Sequence, residues 1–432
     1  MHNHHEIPLY LLVPFALLLA AIAVMPLAFA HFWESNRNKL IVALACSAPV
    51  LAYLIAKSMW GELKHALLFD YVPFLILLAA LFVITGGINI TGDIEAKPIV
   101  NTTFIAIGAI LASLMGTTGA AMLLIRPLLD TNAERKFKVH TILFFIGAVA
   151  NCGGLVTPLG DPPLFVLYLR GVPFEWFFRL IPIWLFANII LLAIYFGVDS
   201  YYYYQKESLA DLRRDIAEIR PIRIAGNVNF LLLLGVVLSV AFLNEQYIPL
   251  FKRNEYAKFL REVVILALLG LSLWLTKKEV REANKFSWHP IEEVAYLFLG
   301  IFITMIPCLL YLEANAPSLG VSNAVQFYYA TGTLSGVLDN TPTAVTFYSL
   351  ALGLGQQASV MIAGVPETLL KAICVGAVFF GSMTYIGNAP NFMVKAVAEE
   401  QGIEMPSFVG YVMKFSLVVL LPVFVLVQVI FL

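Results

Sequence analysis

Charge is scarce in this chain of 432 residues: Asp, Glu, Lys and Arg make up 13% of it, against roughly 25% in ordinary soluble domains. So few charges cannot cover a water-facing surface. The net charge is −1, with no basic block and no Gly-rich phosphate loop, so neither a nucleic-acid partner nor a nucleotide-driven module is expected. Cysteine is rare as well. Cys46, Cys152, Cys308 and Cys374 lie far apart in apolar segments without CxxC spacing, which excludes a redox pair or zinc site and leaves small core residues. The opening Met1-His2-Asn3-His4-His5-Glu6 has no Lys or Arg of a signal peptide, and its three His read as a polar tail rather than a metal site.

What the chain does have is apolar length. Sixty per cent of its residues are hydrophobic and the mean hydropathy is +0.85, the composition of an all-α membrane protein whose partner is the lipid bilayer. Apolar runs long enough to span fall near 7–30, 39–56 and 70–90, then a split pair at 99–130, an interrupted segment at 137–170 and a span near 177–204. The order then repeats: 227–246, 261–276, 291–312, a split pair at 321–353, an interrupted segment at 368–400, and 408–432. This divides the chain into a first repeat at 1–204, an amphipathic cytoplasmic linker at 205–226 and a second repeat at 227–432.

The two halves also repeat their polar punctuation. Gly116-Thr117-Thr118-Gly119 precedes Leu159-Gly160-Asp161-Pro162-Pro163 in one half, and Asp339-Asn340-Thr341-Pro342 precedes Ile386-Gly387-Asn388-Ala389-Pro390-Asn391 in the other. Gly, Pro and polar residues at matching places in apolar sequence point to a midplane site on broken helices, because only cavity-lining backbone can leave helical geometry at that depth. If each split pair is a re-entrant hairpin, each half crosses five times and the second is inverted, giving about ten transmembrane helices with both termini on one side. With the N-terminus outside, 17 of the 27 Lys and Arg fall on inward-facing connections and 8 on outward ones, so both termini are expected to be periplasmic or extracellular. Tyr201 to Tyr204 read as an interfacial aromatic belt.

Asp161 and Asp339 carry the chemistry, since an unpartnered carboxylate at mid-span costs several kcal/mol. Na⁺ takes a cage of oxygens as other hard cations do, and the second half offers Ser335, Asp339, Asn340 and Gly387 for it. The first half offers Thr117, Thr118, Thr157, Gly160 and Asp161, with Ser113 and Asn151 nearby, while Thr341, Asn388 and Asn391 add oxygens in the second half. Gly116, Gly119 and Pro342 shape the hairpin tips. The same residue types also cap helix ends. One aspartate can hold Na⁺ or H⁺ in turn, and Asp339 is expected to be that shared carrier. His65, His140 and His289 are expected to be solvated or capping, and the charged runs 252–262 and 277–285 to be solvated faces. An intramembrane aspartyl protease is a poor match, because Asp161 lacks a Gly-x-Gly-Asp context and the repeat has no role in it.

Paired tips followed by Gly-x-x-Pro breaks resemble the ion transporter superfamily, which includes divalent anion/sodium symporters, arsenite permeases and NhaD-type sodium/proton antiporters. The stretch Gly387-Asn388-Ala389-Pro390-Asn391-Phe392-Met393-Val394-Lys395 resembles its citrate-transporter-like bacterial members. The resemblance implies an inverted repeat, a dimerising scaffold, an elevator-type transport domain and a cell inner membrane location. The carboxylate symporters carry Ser-Asn-Thr at each tip; here the first tip lacks the Asn and the second has Asp for Ser. The added acid favours Na⁺ and H⁺ as the transported ions, with no other cofactor. Citrate or dicarboxylate symport is the alternative, and oxyacid efflux the third reading.

Overall fold

The computed structural model describes residues 7–432; the tail with His2, His4 and His5 lies outside the described residues. Among those described, eight helices are long and apolar enough to cross a membrane: Leu9–Pro26, Asn36–Ala56, Trp60–Thr85, Pro98–Met115, Val139–Val156, Phe174–Gln205, His289–Leu319 and Phe408–Phe431. The chain is an all-α membrane protein. Eight rather than ten meet that standard for identifiable reasons. Val228–Phe242 has 15 residues and Phe259–Leu275 has 17, about 23–26 Å of helix at 1.5 Å per residue. The segment from Glu367 to Glu400 is broken, and Pro98–Met115 belongs to a hairpin.

That hairpin turns on a single residue. Pro98–Met115 and Thr117–Thr131 are joined by Gly116, whose φ of +83° suits a residue without Cβ. At its open end Asn101 Nδ2 donates to Asn132 Oδ1 at 2.9 Å and Asn132 Nδ2 returns the bond at 3.0 Å, so the outer ends of the two arms lie side by side. The second hairpin pairs Ala324–Ser335 with Asn340–Gly353 through 336–339. Gln356 Nε2 closes its open end on Ser322 O at 2.9 Å, and a reciprocal Asn323/Gln326 capping box starts it.

Ion pairs sort the molecule into two charged faces. Lys39–Glu293, Arg135–Asp199 and Lys285–Glu400 lie on the face where the first hairpin opens. Arg170–Asp70, Arg179–Glu367 and Lys258–Glu245 lie on the other. Among the described residues no ion pair joins the two sets. On the first of these faces, polar side chains tie helix ends together: Asn229 donates to Gly87 O at 2.8 Å and Thr276 Oγ1 at 2.9 Å, and Arg281 to Val83 O at 2.7 Å.

Three expectations from sequence need correction. The runs 252–262 and 277–285 are not uniformly solvated: Arg261 and Glu262 form a buried pair, and Arg281 is buried on backbone carbonyls. His140 is mostly buried, with Nε2 2.8 Å from Asp199 Oδ1. Packing of neighbouring helices shuts these side chains off from water, so each keeps a protein partner. The linker is not wholly helical either. It holds the helix Leu209–Ala217 and a strand, Arg220–Ala225, antiparallel to Asn89–Asp93, where Ile222 and Ile224 alternate at the period of a strand.

The linker helix docks through Asp215, which is buried and accepts from Ala96 N at 3.0 Å. Burial pushes its carboxyl up to about 6, and Glu134, Asp93 and Glu95 push the same way. The docked state therefore binds more protons than the free one, and docking weakens as pH rises from about 4 to about 6. Hydrogen exchange over 206–219, corrected for intrinsic rates, should show more protection at the low end of that window, and Asp215→Asn should remove the dependence; an unchanged profile in the variant would assign it elsewhere.

Candidate functional site

Each hairpin tip meets the helix break of its own half, and both breaks have the same construction. In the first, helix Val139–Ala148 ends, a short 3₁₀ turn Cys152–Val156 follows, and helix Pro162–Leu169 restarts. Thr157 is extended (φ −135°, ψ 160°), donates its hydroxyl to Ser113 O and accepts from Leu159 N at 3.2 Å. Asp161 takes the N-cap position (φ −147°, ψ 142°) ahead of two prolines that need no backbone partner. In the second break, Thr384 (φ −139°, ψ 168°) donates to Gly336 O at 2.7 Å and accepts from Gly387 N at 3.0 Å. Asn388 (φ −149°, ψ 137°) then caps Ala389–Glu400. Thr157 thus matches Thr384, Gly160 matches Gly387, and Asp161 matches Asn388.

Both glycines are required by close approach. A Cβ on Gly160 would lie 2.0 Å from Gly154 O. One on Gly387 would lie 2.6 Å from Gly381 O and 2.8 Å from Ser335 O. Gly116 leaves the second arm without a capping side chain, and Thr117 N donates instead to Gly160 O at 2.8 Å.

Asp161 is the point where both halves meet. It is fully buried, with 0% exposure. Thr117 Oγ1 from the first tip donates to its Oδ1 at 2.8 Å, Asn340 Nδ2 from the second tip to its Oδ2 at 2.5 Å, and Asn388 Nδ2 from the opposite break to its Oδ1 at 3.2 Å. Asn388 also reaches Asn151 Oδ1 at 3.2 Å, and Asn151 Nδ2 donates to Asn391 Oδ1 at 2.7 Å. Asn391 closes the chain on Gly381 O at 2.8 Å and Thr384 O at 2.9 Å. One carboxylate therefore sits among four buried amides, and among the described residues no Lys, Arg or His bonds to it.

Asp339 is placed differently from the expectation that made it the centre. It is half-buried and N-caps the second arm, accepting from Thr341 N at 2.9 Å. Thr343 Oγ1 donates to its carbonyl at 2.9 Å. Of the other oxygens expected around Na⁺, Ser335 Oγ donates to Ala377 O at 2.6 Å while its carbonyl faces Gly387, and Asn340 turns its amide nitrogen to Asp161. Thr341 Oγ1 lies 3.4 Å from Asn340 Oδ1, Thr118 is half-buried outside these bonds, and buried Pro342 occupies the first turn of the arm, where its missing N–H leaves nothing unpaired. Gly119 packs on Thr85 of Trp60–Thr85. Sequence reasoning noted Asn151 only as nearby; its position just before Cys152-Gly153-Gly154 was the available signal, since an Asn at a break is free to bridge.

A family model described as "Putative citrate transport" matches residues 4–432. Among curated proteins, the chain is 24% identical over 415 residues to proteins named uncharacterized transporter from Mycobacterium bovis and from Mycobacterium tuberculosis, covering 88% of this chain and 91% of each relative. It is 23% identical over 419 residues to a 46 kDa membrane protein of Mycobacterium leprae, with the same coverage.

The close approach at the first break gives a stability test. Gly160→Ala forces a Cβ onto backbone that cannot rotate away, and should cost about 1–3 kcal/mol or more, read as a lower melting temperature in detergent. Gly197→Ala, where nothing lies within 4 Å, should be neutral or slightly stabilising. Equal melting of the two variants would contradict the packing described.

Proposed function

The chain belongs to this citrate-transport family, and on that premise we propose that it is a secondary transporter of the cell inner membrane that exchanges Na⁺ for H⁺ at Asp161. The single observation behind this reading is a buried carboxylate held by neutral donors from both hairpin tips and the opposite break. Such a group is neutral when protonated and gains from a cation when ionised. Proton and Na⁺ then compete for one position, and alternating access turns one gradient into the other. Asp161 joins Ser335, Asp339, Asn340 and Gly387 in the oxygen set for Na⁺, with the Ser335 and Gly387 backbones already adjacent and Asn340 bonded to Asp161. Asp339 then tunes the second tip rather than carrying the proton.

The architecture that goes with this function is two inverted repeats, 1–204 and 227–432, joined by a cytoplasmic linker, with hairpins and broken helices moving as an elevator past the remaining helices. Hairpins that open on opposite charged faces support it. The Lys and Arg excess on the face of the first hairpin supports cytoplasmic placement of that face, with both termini outside.

Carboxylate symport is the second reading, favoured by the family description. A citrate or dicarboxylate would then enter only after Na⁺ or H⁺ had neutralised Asp161, and its carboxylates would meet the amides of Asn340, Asn388 and Asn151.

Proteoliposomes holding a pH-sensitive dye separate the two. Na⁺ added alone should move protons saturably, citrate or succinate should add nothing, and Asp161→Asn should abolish the signal at equal expression. Asp339→Asn should keep exchange and shift its apparent Na⁺ affinity. Silence with Na⁺ alone, together with Na⁺-dependent uptake of labelled citrate, would replace antiport by symport.

A further inference from the structure

The linker helix Leu209–Ala217 is turned the wrong way round for a helix in water. Its carboxylate Asp215 is 1% exposed and bonded to the protein, whereas Leu209 is 74% and Ile216 54% exposed. Leu209, Arg213 and Ile216 follow one another at steps of four and three along one face of the helix. The apolar exposure continues beyond the helix through Ile219 at 47%, Ile222 at 51% and Ile224 at 45%. Arg213, Arg214 and Arg220 are exposed among them, Arg220 lying 4.0 Å from Glu218, and Arg223 is exposed on the other side of the strand from Ile222 and Ile224, long enough for its guanidinium to reach round the narrow edge. Aliphatic side chains rimmed by arginine make a surface with two requirements, an apolar phase beneath and negative charge beside it.

We propose that this face of the linker, helix and strand together, lies on the bilayer and binds anionic phospholipid, its aliphatic residues entering the acyl boundary and its arginines holding headgroup phosphates. The level is right for it. Tyr201 and Tyr204, at the end of Phe174–Gln205, are 46% and 72% exposed as an interfacial belt would be. Leu209 follows within a few residues, so the helix begins where the acyl region ends. The lipid is not an isolated decoration either. Glu207 accepts from Lys136 N at 3.2 Å and Phe137 N at 2.9 Å, just past the first hairpin. Asp215 holds Ala96 N, just before it. A leaflet that fixes the linker thereby fixes both ends of the hairpin that carries Thr117. This inference needs only a membrane-embedded chain and does not depend on which ion or acid is carried.

The test uses the full chain with Ile216→Cys bearing an environment-sensitive fluorophore, the labelled wild type serving as background for the native cysteines. In nanodiscs containing about 30% phosphatidylglycerol, emission should shift to the blue relative to detergent, and nitroxide-labelled phosphatidylglycerol should quench it. Replacing Arg213, Arg214, Arg220 and Arg223 by Gln should weaken that quenching by about tenfold or more, as should raising the salt, since each basic residue near an anionic surface contributes roughly fivefold. Three results would overturn the proposal. Emission unchanged between detergent and nanodiscs would leave a solvated face. A blue shift in nanodiscs with no quenching by the labelled lipid would mean that a second protein surface covers it. Equal quenching in zwitterionic discs, or none lost in the arginine variant, would remove the anionic headgroup.

Discussion

A helix interrupted inside a bilayer exposes backbone groups that no water can reach, and every feature of the centre answers that constraint. Thr157 and Thr384 carry the larger share of it. Each sits at the end of a 3₁₀ turn, gives its hydroxyl hydrogen to a carbonyl near the hairpin tip and takes backbone N–H groups of the following loop on the same oxygen. Each hairpin thus ends on the break of its own half. The amides of Asn151 and Asn391 then satisfy carbonyls on either side of the junction and bond to each other across it.

Backbone symmetry and charge asymmetry coexist here. The two breaks share dihedral angles to within about 10° at Thr157/Thr384 and Asp161/Asn388, yet only the first carries a carboxylate. The tips reverse the pattern, with Gly116 in the first half and Asp339 in the second. The scaffold repeats because sterics dictate it. The chemistry does not, because a second carboxylate beside Asp161 would add like charge where it is costliest.

Much of this was legible in the chain itself. Apolar length located most spans to within a few residues, the third starting ten residues early at Trp60 and the one from His289 running on to Leu319, and Gly, Pro and Thr located both tips and both breaks, since those residue types are forced by geometry rather than chosen by packing. Asp339 stands at a helix cap and Asp161 at the junction of both halves for a reason local sequence cannot supply. Asp339 stands two residues before the N–H that it caps, whereas the partners of Asp161 come from three separate elements. The burial of His140 and Arg261 was missed on the same ground, their partners being Asp199 and Tyr168 on other helices. The strand at Arg220–Ala225 was masked by the helical spacing just before it.

The bonds that complete the centre join residues 179 to 240 positions apart. During synthesis the first half enters the membrane long before Asn340, Asn388 and Asn391 exist, and until then Asp161 has only Thr117 for company. The nascent first half is therefore an intermediate with a carboxylate and an open helix break at bilayer depth. Biogenesis must tolerate that state, through protonation, trapped water or an insertase that shields it, and the chain acquires its mature centre only when the last third has been threaded in.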